Sequence, residues 1–159
     1  MARLVGEKMG LDENRLQGLY IGGLLHDIGK ASIPAVIITK SGELTEEEHS
    51  LVRTHTKQGY TILKDTKLPW PIADMDLHHH ERLDGSGYPN GFTGDELSRE
   101  VRILAVCDVV EAMSSERPYR PARSKGEILE EIKGGRETKY DPDVVDIMLH
   151  IIEYREFEL

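Results

Sequence analysis

The chain carries seven histidines, and five of them fall in three places where other chemistry-bearing side chains stand close by. The first place is residues 24–30, LLHDIGK. On a helix turning 100° per residue, His26, Asp27 and Lys30 share about a 100° arc, while Leu24, Leu25 and Ile28 point elsewhere. Gly23 leaves space on that arc one turn earlier. A histidine, a carboxylate and a lysine on one bare patch can hold a metal and an anionic ligand together. The same trio also fits a solvated helix end with Lys30 against the macrodipole.

The second candidate is His55, inside an inward stripe of Leu51, Val52, Gly59, Ile62 and Leu63; His49 lies about 120° away on the polar side. A lone histidine on an apolar face is more often a hydrogen-bonded core residue, so His55 gains meaning only in company. The third is residues 78–91, HHHERLDGSGYPNG. Adjacent histidines on a helix diverge by about 100°, so His79 and His80 reach one centre only near a helix end. The glycines and Pro89 that follow supply such an end, and glycines let backbone N–H groups approach an anion. A polar turn with surface histidines is the alternative.

The fourth is Asp108. Its helical neighbours are Val101, Leu104, Ala105 and Ala112, with Arg99 and Arg102 on the opposite side. An ionised carboxylate in apolar surroundings is costly unless paired or bound to metal; a buried salt bridge or a protonated acid competes with the metal. Arg117 and Arg120 follow beside Tyr119 in a proline-interrupted loop, able to fork onto phosphate oxygens or simply to face solvent.

Taken together, His26, Asp27, His55, His79, His80 and Asp108 offer nitrogen and oxygen ligands and no thiolate. Such a set suits Fe, Mn or Zn and argues against a structural zinc site. Six ligands exceed one tetrahedral site, which suggests two divalent ions bridged by a carboxylate. Paired ions activate a bridging hydroxide and clamp the oxygens of an in-line phosphoryl displacement. Phosphodiester hydrolysis follows; redox chemistry at a di-iron centre is left open by ligand type alone.

Helices must position these residues. Asp12 caps a helix predicted to run through Leu16, Leu19, Ile21, Leu24, Leu25 and Ile28 and to stop near Gly29. Thr45 with Glu48 forms a capping box for a helix to about residue 63, and Ser124 with Glu127 forms another. A short helix is expected over residues 70–80, followed by an irregular loop, DGSGYPNGFTGD. Residues 98–113 are apolar on nearly every side, as in a central buried helix. Asp141-Pro142 is an N-cap with proline at the first helical position. The one β-rich stretch, residues 35–40, is short and follows a proline. The expectation is one all-α domain over residues 1–159, a compact bundle of six to seven helices with a long Gly/Pro-rich loop.

Composition narrows the function classes. The 29 acidic and 20 basic side chains leave a net charge of −9, which disfavours a nucleic-acid polymer as partner. The single cysteine, Cys107, excludes an internal disulfide framework and fits a reducing compartment. No apolar stretch reaches membrane-spanning length, and no membrane partner is expected. A cytoplasmic location is the expectation.

LLHDIGK, HHERLDGSGYP and ILAVCDVVEAMSSERPYR, in that order, resemble the motifs of the HD-GYP family, a branch of the HD-domain metal-dependent phosphohydrolases. The likeness runs to YDPDVVD at residues 140–146. It implies an all-helical HD-type bundle that hydrolyses cyclic di-GMP to pGpG, GMP or both, with two divalent ions, Fe or Mn. A third ion occurs in some members. By this resemblance His26, Asp27, His55, His79, His80 and Asp108 are metal ligands, with Asp27 as the bridge. Lys30 stands near the scissile phosphate and steadies charge or assists proton transfer. Gly87, Tyr88 and Pro89 are the GYP segment, associated with ligand contact, and Arg117 and Arg120 match phosphate-contacting positions. Diguanylate cyclase domains of the GGDEF type and an upstream regulatory domain are the implied partners.

The family also carries a further histidine, sometimes preceded by a glutamate, about thirty residues upstream of the doublet, whereas only 25 residues precede His26 here. The domain is therefore expected to lack the N-terminal part of its first helix. A catalytically weak or inactive module that binds a cyclic dinucleotide or a signalling partner is the competing function, and a hydrolase of another cyclic dinucleotide is a third.

Overall fold

The structure is a computed structural model and describes residues 1–116 and 121–154. Arg117, Tyr119 and Arg120 lie outside the described residues. Nine α-helical segments occur among those described: α1 (Ala2–Lys8), α2 (Glu13–Leu25), α3 (Ala35–Ile38), α4 (Glu46–Arg53), α5 (His55–Leu63), α6 (Ile72–His78), α7 (Arg99–Ser114), α8 (Lys125–Gly134) and α9 (Pro142–Glu153). Two 3₁₀ turns, Ile28–Ser32 and Gly94–Glu96, complete them. Only isolated bridges, Asp84 with Thr93 and Arg136 with Tyr140, pair extended backbone among the described residues. None of the described helices is long and apolar enough to cross a membrane.

Most helix starts lie where the cap chemistry puts them. Asp12 accepts the Arg15 N–H at 3.0 Å. Thr45 with Glu48 and Ser124 with Glu127 close reciprocal capping boxes. Ser98 caps α7, and Asp141 accepts the N–H groups of Asp143 and Val144 ahead of α9. These bonds satisfy amides that have no partner inside the helix. α7 is the central helix, with Val101, Ile103, Leu104, Val106 and Val110 buried. It packs against α1, α2, α6, α8 and α9. Val5 and Leu19 are fully buried in the same core, so α1, which no cap or periodicity announces, completes it.

Three boundaries differ from the sequence-based expectation. The helix after Asp12 ends at Leu25, with His26 as its C-cap and Asp27 in a non-helical conformation. Leu24 and Ile28 are accordingly exposed, and the doublet sits at a break rather than on one helical arc. The helix after Thr45 divides at Thr54, whose N–H and hydroxyl both take the Leu51 carbonyl, at 3.0 and 2.6 Å. That tightened turn reorients α5, leaving Leu51 and Ile62 exposed while His55, Gly59 and Leu63 are buried. The β-rich residues 35–40 form one helical turn, α3, after Pro34. These breaks raise the number of segments above the six or seven expected.

Close backbone approach joins the site-bearing segments. Gly29 lies so near α5 that a Cβ there would stand 1.9 Å from the His55 carbonyl oxygen. Any side chain would push the turn carrying Asp27 away from His55. Gly87 plays the same part for the long loop, where a Cβ would meet the Glu81 Cα at 2.4 Å. Glu81 itself is buried; its carboxylate accepts the Asn90 and Gly91 N–H groups at 2.7 and 3.1 Å. Replacing Glu81 with Ala strands both amides and is expected to cost about 2–4 kcal/mol, lowering the melting temperature by roughly 5–15 °C. Faster hydrogen exchange at Asn90 and Gly91 should accompany it; an unchanged exchange pattern would remove Glu81 as the anchor of this loop.

Candidate metal centre

Three rings are held by one device. His26 Nδ1 lies 2.9 Å from the Gly23 carbonyl, His55 Nδ1 2.7 Å from that of Val52, and His79 Nδ1 2.6 Å from that of Asp76. A carbonyl oxygen only accepts, so each Nδ1 carries a proton, and the rings of His55 and His79, when neutral, keep their lone pair on Nε2. All three contacts reach back three residues, at a helix end or at the α4–α5 break. There the helix no longer follows its regular bonding, and the ring can turn onto a carbonyl.

The free nitrogens converge on two carboxylates. His26 Nε2 is 3.5 Å from Asp27 Oδ2 and 3.5 Å from Asp108 Oδ1. Asp27 Oδ1 faces His55 Nε2 at 3.5 Å and His79 Nε2 at 4.0 Å. His80 Nδ1 stands 3.6 Å from Asp108 Oδ2. Ligand atoms of His55, His79 and His80 lie within 4.8 Å of one another, as do those of His26, Asp27 and His79. His79 belongs to both groups. The two oxygens of Asp27 face different partners, the disposition a bridging carboxylate needs.

Three of these atoms, Asp27 Oδ1, His55 Nε2 and His79 Nε2, are buried without a hydrogen-bond partner. A buried unpaired polar atom is costly, and three pointing at one place are accounted for by a bound cation. Protonation states agree. Burial lowers His55, takes His79 down to about 4 and takes His80 down to about 2, so these three rings are neutral at neutral pH. Burial pushes Asp108 up, but the hydrogen bond from His26 and the neighbouring histidines outweigh it and hold the carboxylate below its usual range. Burial also presses His26 down, yet Asp108 and Asp27 raise it on balance. The donor set therefore fits divalent ions of the Fe, Mn or Zn kind.

Lys30, on the 3₁₀ turn, bonds Asp27 Oδ2 at 2.5 Å. It lines a cavity of about 210 Å³ with Ile37, Ile38, Val52, Tyr88 and the candidate ligands His55, His80 and Asp108. A second cavity, of about 410 Å³, reaches His26 and Asp108 from the α1 side, past Tyr20, Gly23 and Leu24. Tyr88 stacks on the His80 ring at 4.7 Å and 26°. Its N–H bonds the His80 carbonyl at 3.3 Å, so the GYP segment rests directly on the candidate ligand His80. Gly87 serves that packing, and Pro89 faces outward beside Arg53 and Lys57. His78 is turned away, stacked on Phe92 at 4.9 Å.

Residue typing missed Asp76. It is fully buried on α6, and neither oxygen has a partner. Burial and then the charge of Asp27 raise it to about 8, against a smaller opposing pull from His26. It is a neutral acid packed against Gly59, where a Cβ would fall 2.1 Å from Oδ2. The signal available in the sequence was its place three residues before His79, on the same face as that ring. Glu81 escaped notice for a similar reason, since its partners are amides nine and ten residues away.

A family model described as HD domain matches residues 1–144. The cyclic di-GMP phosphodiesterase response regulator RpfG of Xanthomonas campestris pv. campestris is 38% identical over 151 residues, 94% of this chain and 40% of that protein. The 3'3'-cGAMP-specific phosphodiesterase 1 of Vibrio cholerae is 34% identical over 149 residues, 91% of this chain and 34% of that protein. Among solved structures, the HDG"Y"P protein Bd1817 of Bdellovibrio bacteriovorus superposes with a TM-score of 0.77 at 18% identity, over 94% of this chain and 48% of that one. The chain belongs to the HD-domain family, in its HD-GYP branch. It spans less than half the length of each of these relatives.

Two outcomes follow from this geometry. Because His79 belongs to both ligand groups, His79→Gln should lower both equivalents of bound metal, and His26→Gln chiefly one, as read by elemental analysis after Mn²⁺ loading and dialysis. Equal losses would overturn the shared placement. Asp76 binds its proton more tightly folded than unfolded, so its contribution favours the fold at low pH and is lost as pH rises from about 4 towards 8. Asp76→Asn should therefore gain melting temperature over the parent, in the metal-free protein, by at least about 3 °C at pH 8 and little at pH 4. A pH-independent difference would assign Asp76 another state.

Proposed function

We propose that this chain is a metal-dependent phosphodiesterase that hydrolyses cyclic di-GMP to pGpG, GMP or both. The observation that carries the reading is the convergence of the tethered His26, His55 and His79 rings on Asp27, with Asp108 beside His26 and His80. His26, Asp27, His55, His79, His80 and Asp108 would hold two divalent ions, with Asp27 between them. Bound divalent ions supply an activated water and positive charge beside the phosphoryl oxygens.

The chain's own groups do the rest. Three carbonyl-tethered rings keep their tautomer and direction through the cycle. Lys30 enters the cavity beside Asp27 and is the cation placed to steady charge on a phosphate oxygen or to pass a proton to the leaving oxygen. Tyr88, with Ile37, Ile38 and Val52, presents the flat and apolar surface a nucleobase requires. Gly87 and Pro89 hold Tyr88 in place. Arg117 and Arg120 are assigned to phosphate contact on the motif resemblance alone, and GGDEF-type cyclase domains or a regulatory domain are the partners it brings.

A second reading, with a hybrid cyclic dinucleotide as substrate, is favoured by the similarity to the Vibrio cholerae enzyme whose name specifies cGAMP. The deciding assay is anaerobic incubation with Fe²⁺ or Mn²⁺ and each dinucleotide in turn, with products separated by chromatography. Cyclic di-GMP should yield pGpG or GMP, and Asp27→Ala should reduce the rate to background with its helical circular dichroism retained. Hydrolysis of the hybrid alone would transfer the assignment to it. Undiminished turnover in Asp27→Ala would remove the metal-centred reading.

A further inference from the structure

A third cavity, of about 250 Å³, adjoins the metal centre across Tyr88 and is lined by Ser50, Arg53, Thr54, Lys57, Tyr88 and Pro89. Its lining offers three hydroxyl-bearing residues, Ser50, Thr54 and Tyr88, with two cations and no carboxylate. Arg53 and Lys57 are exposed and make no ion pair among the described residues.

Arg53 closes α4 and Lys57 stands on the first turn of α5, so the break at Thr54 sets two like charges on one cavity. Arg53 is also held: its guanidinium stands over the Tyr88 ring, 5.3 Å from the centroid, a cation–π arrangement that orients the donor fork. The same ring stacks on the candidate ligand His80. One rigid aromatic thus separates the centre, where a phosphodiester would react, from a cavity equipped for a second anion.

We infer that Arg53 and Lys57, with Ser50 and Thr54, form a subsite for the second, non-reacting phosphate of a cyclic dinucleotide whose first phosphate lies at the metal centre. This rests on the phosphodiesterase reading and deepens it. A ligand with two phosphates on one ring must place the second away from the reacting one, and the cations stand on the cavity that shares Tyr88 with the centre. A guanidinium and an ammonium can each donate to phosphate oxygens, the former as a fork. Binding energy from this remote group would distinguish a cyclic dinucleotide from a simple phosphodiester.

The test is steady-state kinetics of the Mn²⁺-loaded chain on cyclic di-GMP and on bis(p-nitrophenyl) phosphate, which has a single phosphodiester. In Arg53→Ala and in Lys57→Ala the KM for cyclic di-GMP should rise, and the ratio of kcat/KM values for the two substrates should fall, each roughly tenfold. Arg53→Lys should recover part of the loss. An unchanged ratio overturns the subsite, and so does an equal loss on both substrates, which would mean disturbance of Tyr88 and the centre. If the parent chain cleaves bis(p-nitrophenyl) phosphate but not cyclic di-GMP, the phosphodiesterase reading for that substrate fails separately. Calorimetric binding of cyclic di-GMP to the metal-loaded chain then decides. Affinity roughly tenfold weaker in both variants supports the subsite, while equal affinity or no binding to the parent overturns it.

Discussion

The bond from a histidine Nδ1 to the carbonyl three residues earlier is the interaction on which the centre depends. It occurs at His26, His55 and His79. Each instance fixes a tautomer, aims an Nε2 and uses a carbonyl freed by a helix end or a break. The device explains why the helices stop where they do. If α2 continued past Leu25, or α4 ran straight into α5, those carbonyls would be directed into regular helix bonding. The breaks that complicate the fold are therefore the same features that build the site.

A second constraint is proximity of backbones. The 3₁₀ turn carrying Lys30 lies directly on α5 because Gly29 has no side chain to hold it off. Only in that position does Asp27 reach both His55 and His26. The carboxylate is thus shared by segments that are distant in sequence, with α7 adding Asp108 from beneath. α7 is held there by Val101, Ile103, Leu104, Val106 and Val110, which are buried in the core. Rigid packing around an Asp that touches His26 and His80 is what lets a buried carboxylate remain charged.

The long loop is organised around the same centre. Glu81 follows the ligand pair and turns inward to hold Asn90 and Gly91, which folds the intervening residues back so that Tyr88 covers His80. An anchor, an aromatic lid and two ligands are consecutive features of one segment. The loop contains little regular structure, and its order comes from a buried carboxylate and from close packing at Gly87.

What the sequence by itself determined is local chemistry: the caps at Asp12, Thr45, Ser124 and Asp141, the buried run of α7, and the residue types able to bind a metal. These are legible because caps and periodicity act over a few residues. The six candidate ligands were named from type, spacing and motif resemblance, and the fold brings all six together. The tertiary structure alone decided how they meet. A helical wheel placed His26, Asp27 and Lys30 on one arc, whereas a break after Leu25 gives Asp27 its two-sided reach. Asp76 and Glu81 were illegible because the meaning of a buried carboxylate lies in its surroundings. One faces Gly59 from another helix, and the other holds amides nine and ten residues on. Short-range bonding is written in neighbours; desolvation and convergence exist only once the chain has folded.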